Sequence, residues 1–268
     1  MENKIGVAAA MYDSFGIKQA ARSISKIGYK YIELVYAKGF VEKLIKNPED
    51  MNEADVKNIL KICRENNITV YCLSVFSNYF MYKEGIKKLK KVLDTANLLN
   101  VNYVITDTGN IDDDVKKRTF FENIAIIADY AELKNITICF EIHGGWYCNG
   151  RQGSEIIKRI NHPNIRLNYD TANVIYFGGG RPEGDIEFAK DYMSFMHLKD
   201  KAGKDNEWSF PALGDGSIDF KKIFKSITDY EGPMSIEIEI SQGQHSLEEV
   251  NSAYKKSFDF MKSYGFDV

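Results

Sequence analysis

The sequence predicts a closed (β/α)₈ barrel made by one domain over residues 1–268. Three observations carry this. Short apolar, β-branched runs alternate eight times with longer runs whose apolar residues recur at helical spacing. A length of 268 residues suits one such barrel. No break in composition divides the chain. A doubly wound open sheet is the alternative, weakened because no G-x-G-x-x-G follows the first strand.

The elements follow in order. Residues 5–9 form a first strand, and 17–27 a helix stopped by Gly28. Residues 29–36 are the second strand, with Glu33 set between Ile32 and Leu34. Asn52 caps a helix to about Asn67, with Asp55 three residues on completing a capping-box variant. The third strand spans 68–76, and a helix over 81–99 repeats apolar residues at Ile86, Leu89, Val92, Leu93 and Ala96. A fourth strand covers 103–108, with Asp107 near its end, and a helix covers 115–133. The fifth strand opens the stretch Ile136 to Gly145 and delivers Glu141 and His143 ahead of a Gly-Gly turn. Two residues apart on a strand, these side chains point the same way. A short helix over 154–160 precedes the sixth strand, 165–169, which runs into Asp170-Thr-Ala-Asn173. A helical piece over 186–192, a seventh strand over 193–198 with His197, and a helix over 220–230 follow. The eighth strand is 234–240, and the last helix 247–264.

Bulk properties exclude several roles. A net charge of -3 and a pI near 5.9 give nucleic acid no basic surface. No apolar run approaches a membrane span. Cys63, Cys72, Cys139 and Cys148 form no C-x-x-C pair, and the first residues carry no signal-peptide pattern. A reduced, cytoplasmic protein is expected.

In a barrel of this type, chemistry sits at the C-terminal ends of the strands. Glu141, Asp170, His197 and Glu237 come from the ends of strands five to eight, neighbours around the barrel. Three carboxylates and an imidazole at contact distance raise one another's proton affinity unless a cation intervenes. The donor set suits Mn²⁺, Mg²⁺ or Co²⁺, with Zn²⁺ less favoured. Glu239 faces the same way as Glu237, so spacing alone leaves the strand-eight ligand open between them. His143 is read as a substrate contact or as a group orienting Glu141, Glu33 as a substrate contact or a rim ion pair, and Lys199 as an anion contact or a partner of nearby carboxylates. The glycines at 178–180 suggest a loop over the site, with Arg181 as an anion contact. Tyr12, Phe76, Trp146 and Trp208 would wall a sugar pocket or bury an interface.

Six segments carry a family resemblance. They are Gly28-Tyr-Lys-Tyr-Ile-Glu33, Phe140-Glu-Ile-His143, Asp170-Thr-Ala-Asn173, His197-Leu-Lys-Asp200, the run Ala212 to Phe220, and Gly232-Pro-Met-Ser-Ile-Glu-Ile-Glu239. In this order, at these strand ends, the chain resembles the xylose-isomerase-like TIM barrels of the sugar phosphate isomerase/epimerase group, which includes D-tagatose and D-psicose 3-epimerases and inosose dehydratase. The resemblance implies a divalent metal, Mn²⁺ foremost, on Glu141, Asp170, His197 and Glu237, and it favours Glu237 over Glu239. It makes Glu141 and Glu237 the acid/base pair that moves a proton through a metal-stabilised enediolate. His143, Asn173, Glu33, Lys199 and Glu239 are the candidate substrate contacts, and the resemblance implies a small sugar or polyol-derived substrate and a homo-oligomer. The chain departs from the epimerases in carrying Asn173 where they have histidine, and in lacking their arginine after the strand-seven histidine.

The leading expectation is therefore a metal-dependent isomerase or epimerase. A lyase that dehydrates a keto-inositol or keto-sugar shares the proton abstraction and is the alternative. An endonuclease IV-like DNA repair enzyme requires a histidine-rich zinc site, and this chain has four histidines and no basic surface. A non-catalytic binding barrel predicts an acidic rim without turnover.

Overall fold

Eight parallel strands close on themselves in sequence order in the computed structural model, which describes residues 3–77, 79–240 and 243–268. The strands are β1 (Ile5–Ala8), β2 (Tyr31–Ala37), β3 (Thr69–Phe76), β4 (Tyr103–Thr106), β5 (Thr137–Glu141), β6 (Ile165–Asp170), β7 (Met193–Leu198) and β8 (Met234–Ile236). Pairing of Ile5, Gly6 and Val7 with Met234, Ser235 and Ile236 seals the barrel. Closure leaves no sheet edge unpaired.

The helices lie outside: α1 (Gly16–Ile27), α2 (Glu53–Glu65), α3 (Lys83–Leu98), α4 (Asp114–Leu133), α5 (Gly150–Ile160), α6 (Asn173–Tyr176), α7 (Pro182–Ala189), α8 (Phe220–Ser226) and α9 (Leu247–Ser263). Asn52 and Asp55 form the expected capping box of α2. A second box, Ser246 with Glu249, starts α9. Helix α5 begins four residues earlier than expected, because the Asn149 side chain accepts from Gln152 N and caps it there. Helix α7 also begins early, with Pro182 in its first turn, where a missing N–H costs nothing. The one-turn α6 was not expected. The Asp170 carboxylate nucleates it by accepting from the backbone N–H groups of Ala172 and Asn173, each at 2.8 Å.

Two apolar layers result. The main core lies between strands and helices. A smaller one, with Tyr71, Cys72, Ile105, Cys139 and Phe195, fills the barrel interior. The β2–β3 register shifts between Ile32 and Glu33, leaving Tyr71 as the extra residue on β3. Strand β8 ends at Ile236 rather than at 240. Beyond it the chain leaves β1, Glu237 N donates to Leu198 O, and Glu239 pairs with Phe210 of the β7–α8 loop. That departure keeps Glu237 and Glu239 at the mouth.

Candidate metal centre

Period-two alternation sets the site. Glu141 and Asp170 are the last residues of β5 and β6, His197 is next to last on β7, and Glu237 immediately follows β8. One donor atom from each lies within 4.8 Å of the other three. His197 Nδ1 stands 3.8 Å from Glu141 Oε1, 4.0 Å from Asp170 Oδ2 and 3.1 Å from Glu237 Oε2. Spacing left Glu237 and Glu239 equivalent, but the geometry separates them: Glu237 joins the cluster and Glu239 stands outside it.

The decisive feature is what these groups lack. Glu141 Oε2, Asp170 Oδ2, His197 Nδ1 and Glu237 Oε2 are all buried without a hydrogen bond. Such an atom costs about 1–3 kcal/mol, more when charged. The other polar atoms of Asp170, Glu141 and His197 are satisfied. Asp170 Oδ1 takes the two backbone donors of α6, and Glu141 Oε1 accepts from Asn173 Nδ2 at 2.9 Å. His197 Nε2 lies 3.1 Å from both oxygens of Glu33. Asp170, Glu141 and His197 thus spend one face on the protein and turn the other toward a common point, where Glu237 Oε2 joins them. Three carboxylate oxygens and an imidazole nitrogen converging in this way fit a divalent cation.

Electrostatics agree. Among the described residues, Glu33, Glu141, Asp170, Glu237 and Glu239 form ion pairs with His197 and Lys199. Burial drives the Asp170 carboxyl well above the usual range; Lys199 opposes this, but Glu237 and Glu141 reinforce it. Burial also pushes Glu237 upward, yet Lys199 and His197 outweigh it and hold Glu237 well below the usual range. Burial disfavours charge on His197 and Lys199, and the surrounding carboxylates overcome this and raise both.

Above the cluster, a cavity of about 220 Å³ is lined by Asp107, Thr108, Asn110, Glu141 and His143. His143 is exposed, its ring between those of Phe76 and Phe177 at 5.7 and 5.1 Å. The turn behind it needs glycine: Gly144 has φ +79°, and a Cβ there would meet Phe177 at 2.6 Å. Burial pushes Asp107 up to about 6.

Other expected contacts lie elsewhere. Glu33, read as a substrate contact or a rim ion pair, does pair with His197 at 3.1 Å, but wholly buried inside the barrel rather than at its rim, and it is hydrogen-bonded to Ser74 and Ser235. Asn173, also expected at substrate, is buried and gives its amide to Glu141. Lys199 pairs with Glu239 at 2.8 Å and Glu237 at 3.3 Å. Arg181 pairs with Asp205 at the surface. Gly178 packs tightly in a turn, where a Cβ would meet Cys148 O at 2.5 Å. Tyr12 is buried against Tyr254, and Trp146 packs on Phe120 and Phe121. Of the four histidines, only His197 joins the cluster; His162 faces Asp129 and Glu132 beyond α5. The serines supporting Glu33 were missed, although each interrupts an apolar strand in the way Glu33 does.

A protein-family model for the xylose isomerase-like TIM barrel matches residues 21–264. No curated protein matches the sequence. Solved structures of similar fold include D-psicose 3-epimerase with D-tagatose from Clostridium cellulolyticum H10, at 15% identity, TM-score 0.79, 97% of this chain and 98% of that one. D-Allulose 3-epimerase from Methylomonas sp. aligns at 18% identity, TM-score 0.76, with 98% of each chain covered. A probable 3-DHS dehydratase from Bacillus anthracis aligns at 14% identity, TM-score 0.75, over 98% of this chain and 99% of that one. At these identities the likeness is one of fold.

Proposed function

The chain belongs to the xylose isomerase-like TIM barrel family, and from that premise we propose that it is a divalent-metal-dependent isomerase or epimerase of a small sugar or related carbonyl compound. The observation that carries this reading is the set of four buried, unsatisfied donor atoms turned to one point. Glu141 Oε2, Asp170 Oδ2, His197 Nδ1 and Glu237 Oε2 would hold the ion, and this oxygen-rich donor set suits Mn²⁺, Mg²⁺ or Co²⁺ better than Zn²⁺. When bound, such an ion acts as a Lewis acid that polarises a carbonyl and acidifies the C–H beside it.

The chain's own residues supply the proton transfers. Glu141 and Glu237 stand on strands three apart around the barrel, so they approach a ligand over the cluster from different sides. Asn173 fixes the orientation of Glu141 through Oε1. Lys199 and His197 keep Glu237 ionised and therefore able to accept a proton. One carboxylate removes the proton α to the carbonyl and the other returns one to the opposite face. His143, flanked by Phe76 and Phe177, gives a sugar ring an apolar wall with a polar edge. Similar folds that act on ketohexoses support the substrate class.

A dehydratase is the second reading, and Asp107 favours it. A carboxyl pushed up to about 6 at the mouth can protonate a departing hydroxyl. One experiment separates them: incubation of the Mn²⁺-loaded protein with ketoses and keto-inositols in D₂O, with products read by mass spectrometry and NMR. An epimer gains one deuterium at the exchanged carbon, whereas dehydration loses water. The isomerase reading also requires Glu141→Gln to abolish turnover. No cation uptake and no turnover across the panel would overturn it.

A further inference from the structure

Glu33 is a carboxylate with no access to solvent, enclosed by four strands of the barrel. Burying such a charge costs several kcal/mol unless it is paired and hydrogen-bonded. Both conditions are met. Ser74 Oγ from β3 donates to Oε1, Ser235 Oγ from β8 donates to Oε2, and His197 Nε2 from β7 faces both oxygens at 3.1 Å. The network extends one step further. The single hydroxyl hydrogen of Ser235 is given to Glu33, and Ser235 Oγ also lies 2.5 Å from the Tyr71 hydroxyl, which donates to Met234 O at 2.8 Å. The register shift at Ile32 and Glu33 makes this contact available, because Tyr71 is the extra residue there and joins the interior layer.

Both serine neighbours of Glu33 donate to it. A carboxylate receiving donors on both oxygens is an acceptor only. The ring nitrogen facing it must then carry hydrogen. A histidine that ligates a cation is neutral and bears one hydrogen, so with hydrogen on Nε2 its Nδ1 offers the lone pair. That atom is the unsatisfied one aimed at Glu141, Asp170 and Glu237. We propose that Glu33, supported by Ser74 and Ser235, is a positioning residue that locks the ring of His197 with hydrogen on Nε2 and presents Nδ1 to the cation. The assignment rests on the metal reading given above. A carboxylate behind a ligand histidine orients the ring and raises its basicity, and its loss typically weakens metal binding 10–100-fold.

The test reads cation binding rather than turnover. Free Mn²⁺ is titrated by its electron paramagnetic resonance signal against the full-length wild type, Glu33→Gln and Ser235→Ala. Glutamine keeps the volume and one acceptor but lacks the charge and the second acceptor. The Glu33→Gln dissociation constant is expected to rise 10–100-fold, and that of Ser235→Ala by a smaller factor. In ¹⁵N-histidine-labelled wild type loaded with Mg²⁺, the His197 hydrogen is expected on Nε2. A hydrogen on Nδ1 in the loaded protein, or wild-type Mn²⁺ affinity in folded Glu33→Gln, overturns the proposal. Where Glu33→Gln does not fold, Ser235→Ala decides, and unchanged affinity there overturns it. Wild type that binds Mn²⁺ while Glu33→Gln binds equally well refutes Glu33 alone. Wild type that takes up no divalent cation refutes the metal reading and this assignment with it.

Discussion

Replacing Glu141 by Gln tests the metal centre through stability. Glutamine keeps the shape and a carbonyl for Asn173 Nδ2, but removes one of five carboxylates set against His197 and Lys199. In the wild type, a cation bound only by the folded state at about 100 times its Kd stabilises by about 2.7 kcal/mol. For 268 residues the unfolding entropy is about 0.6 kcal/mol per kelvin, so the melting temperature rises by about 5 °C. Losing one charged ligand is expected to weaken binding by about 100-fold, or about 2.7 kcal/mol. At the same cation concentration the gain for Glu141→Gln is then about 0.4 kcal/mol, a shift under about 1 °C. Without cation, the variant should melt no lower than the wild type, since like charges are relieved and the new amide can donate within the cluster. Differential scanning fluorimetry with EDTA, and then with Mn²⁺, measures both. A variant that keeps the full 5 °C shift, or a wild type with none at saturating Mn²⁺, Mg²⁺, Co²⁺ or Zn²⁺, refutes the reasoning.

Two further outcomes follow from the same geometry. Burial raises Asp170 and the surrounding carboxylates raise His197, so protons compete with a cation for Oδ2 and Nδ1. Affinity therefore rises with pH, by about tenfold per unit for each proton released, and calorimetry in buffers of different ionisation enthalpy counts those protons; flat or falling affinity between pH 6 and 8 contradicts this. Asp200 accepts from the backbone N–H groups of Lys201, Gly214, Gly216 and Ile218, so it organises the loop after β7. Asp200→Ala should cost several kcal/mol, at about 1 kcal/mol or more for each abandoned donor. It should also speed hydrogen exchange at 214–218, and unchanged protection there would show that the loop holds itself.

Much of the fold was legible because burial imposes a period on the chain. The eight apolar runs and their helical partners are solvation patterns, and they determine a barrel whichever partner each side chain meets. Helix starts were less legible. The α5 cap at Asn149 and the carboxylate cap of α6 by Asp170 are decided by single side-chain hydrogen bonds that compete with turn conformations. The cluster was legible as a set because charged residues interrupting apolar strands demand an explanation, and Glu141, Asp170, His197 and Glu237 converge as that demand implied.

Depth and direction were not legible. Period two says which way a side chain points, not at which layer of the barrel it stops. Glu33 and Glu141 look alike in sequence, each a carboxylate within an apolar strand. Only the stagger of the closed strands places Glu33 beneath His197 and Glu141 beside it. Likewise Asn173 reads as a substrate contact until α6 turns it back onto Glu141, and Glu239 reads as equal to Glu237 until the chain leaves β8 for Phe210. The sequence by itself determined that a buried acidic cluster with one imidazole lies at the end of a barrel. The tertiary structure decided which atom of each residue is spent on the protein and which is left for a ligand, because hydrogen bonds join residues far apart in the chain and leave no mark on its local pattern.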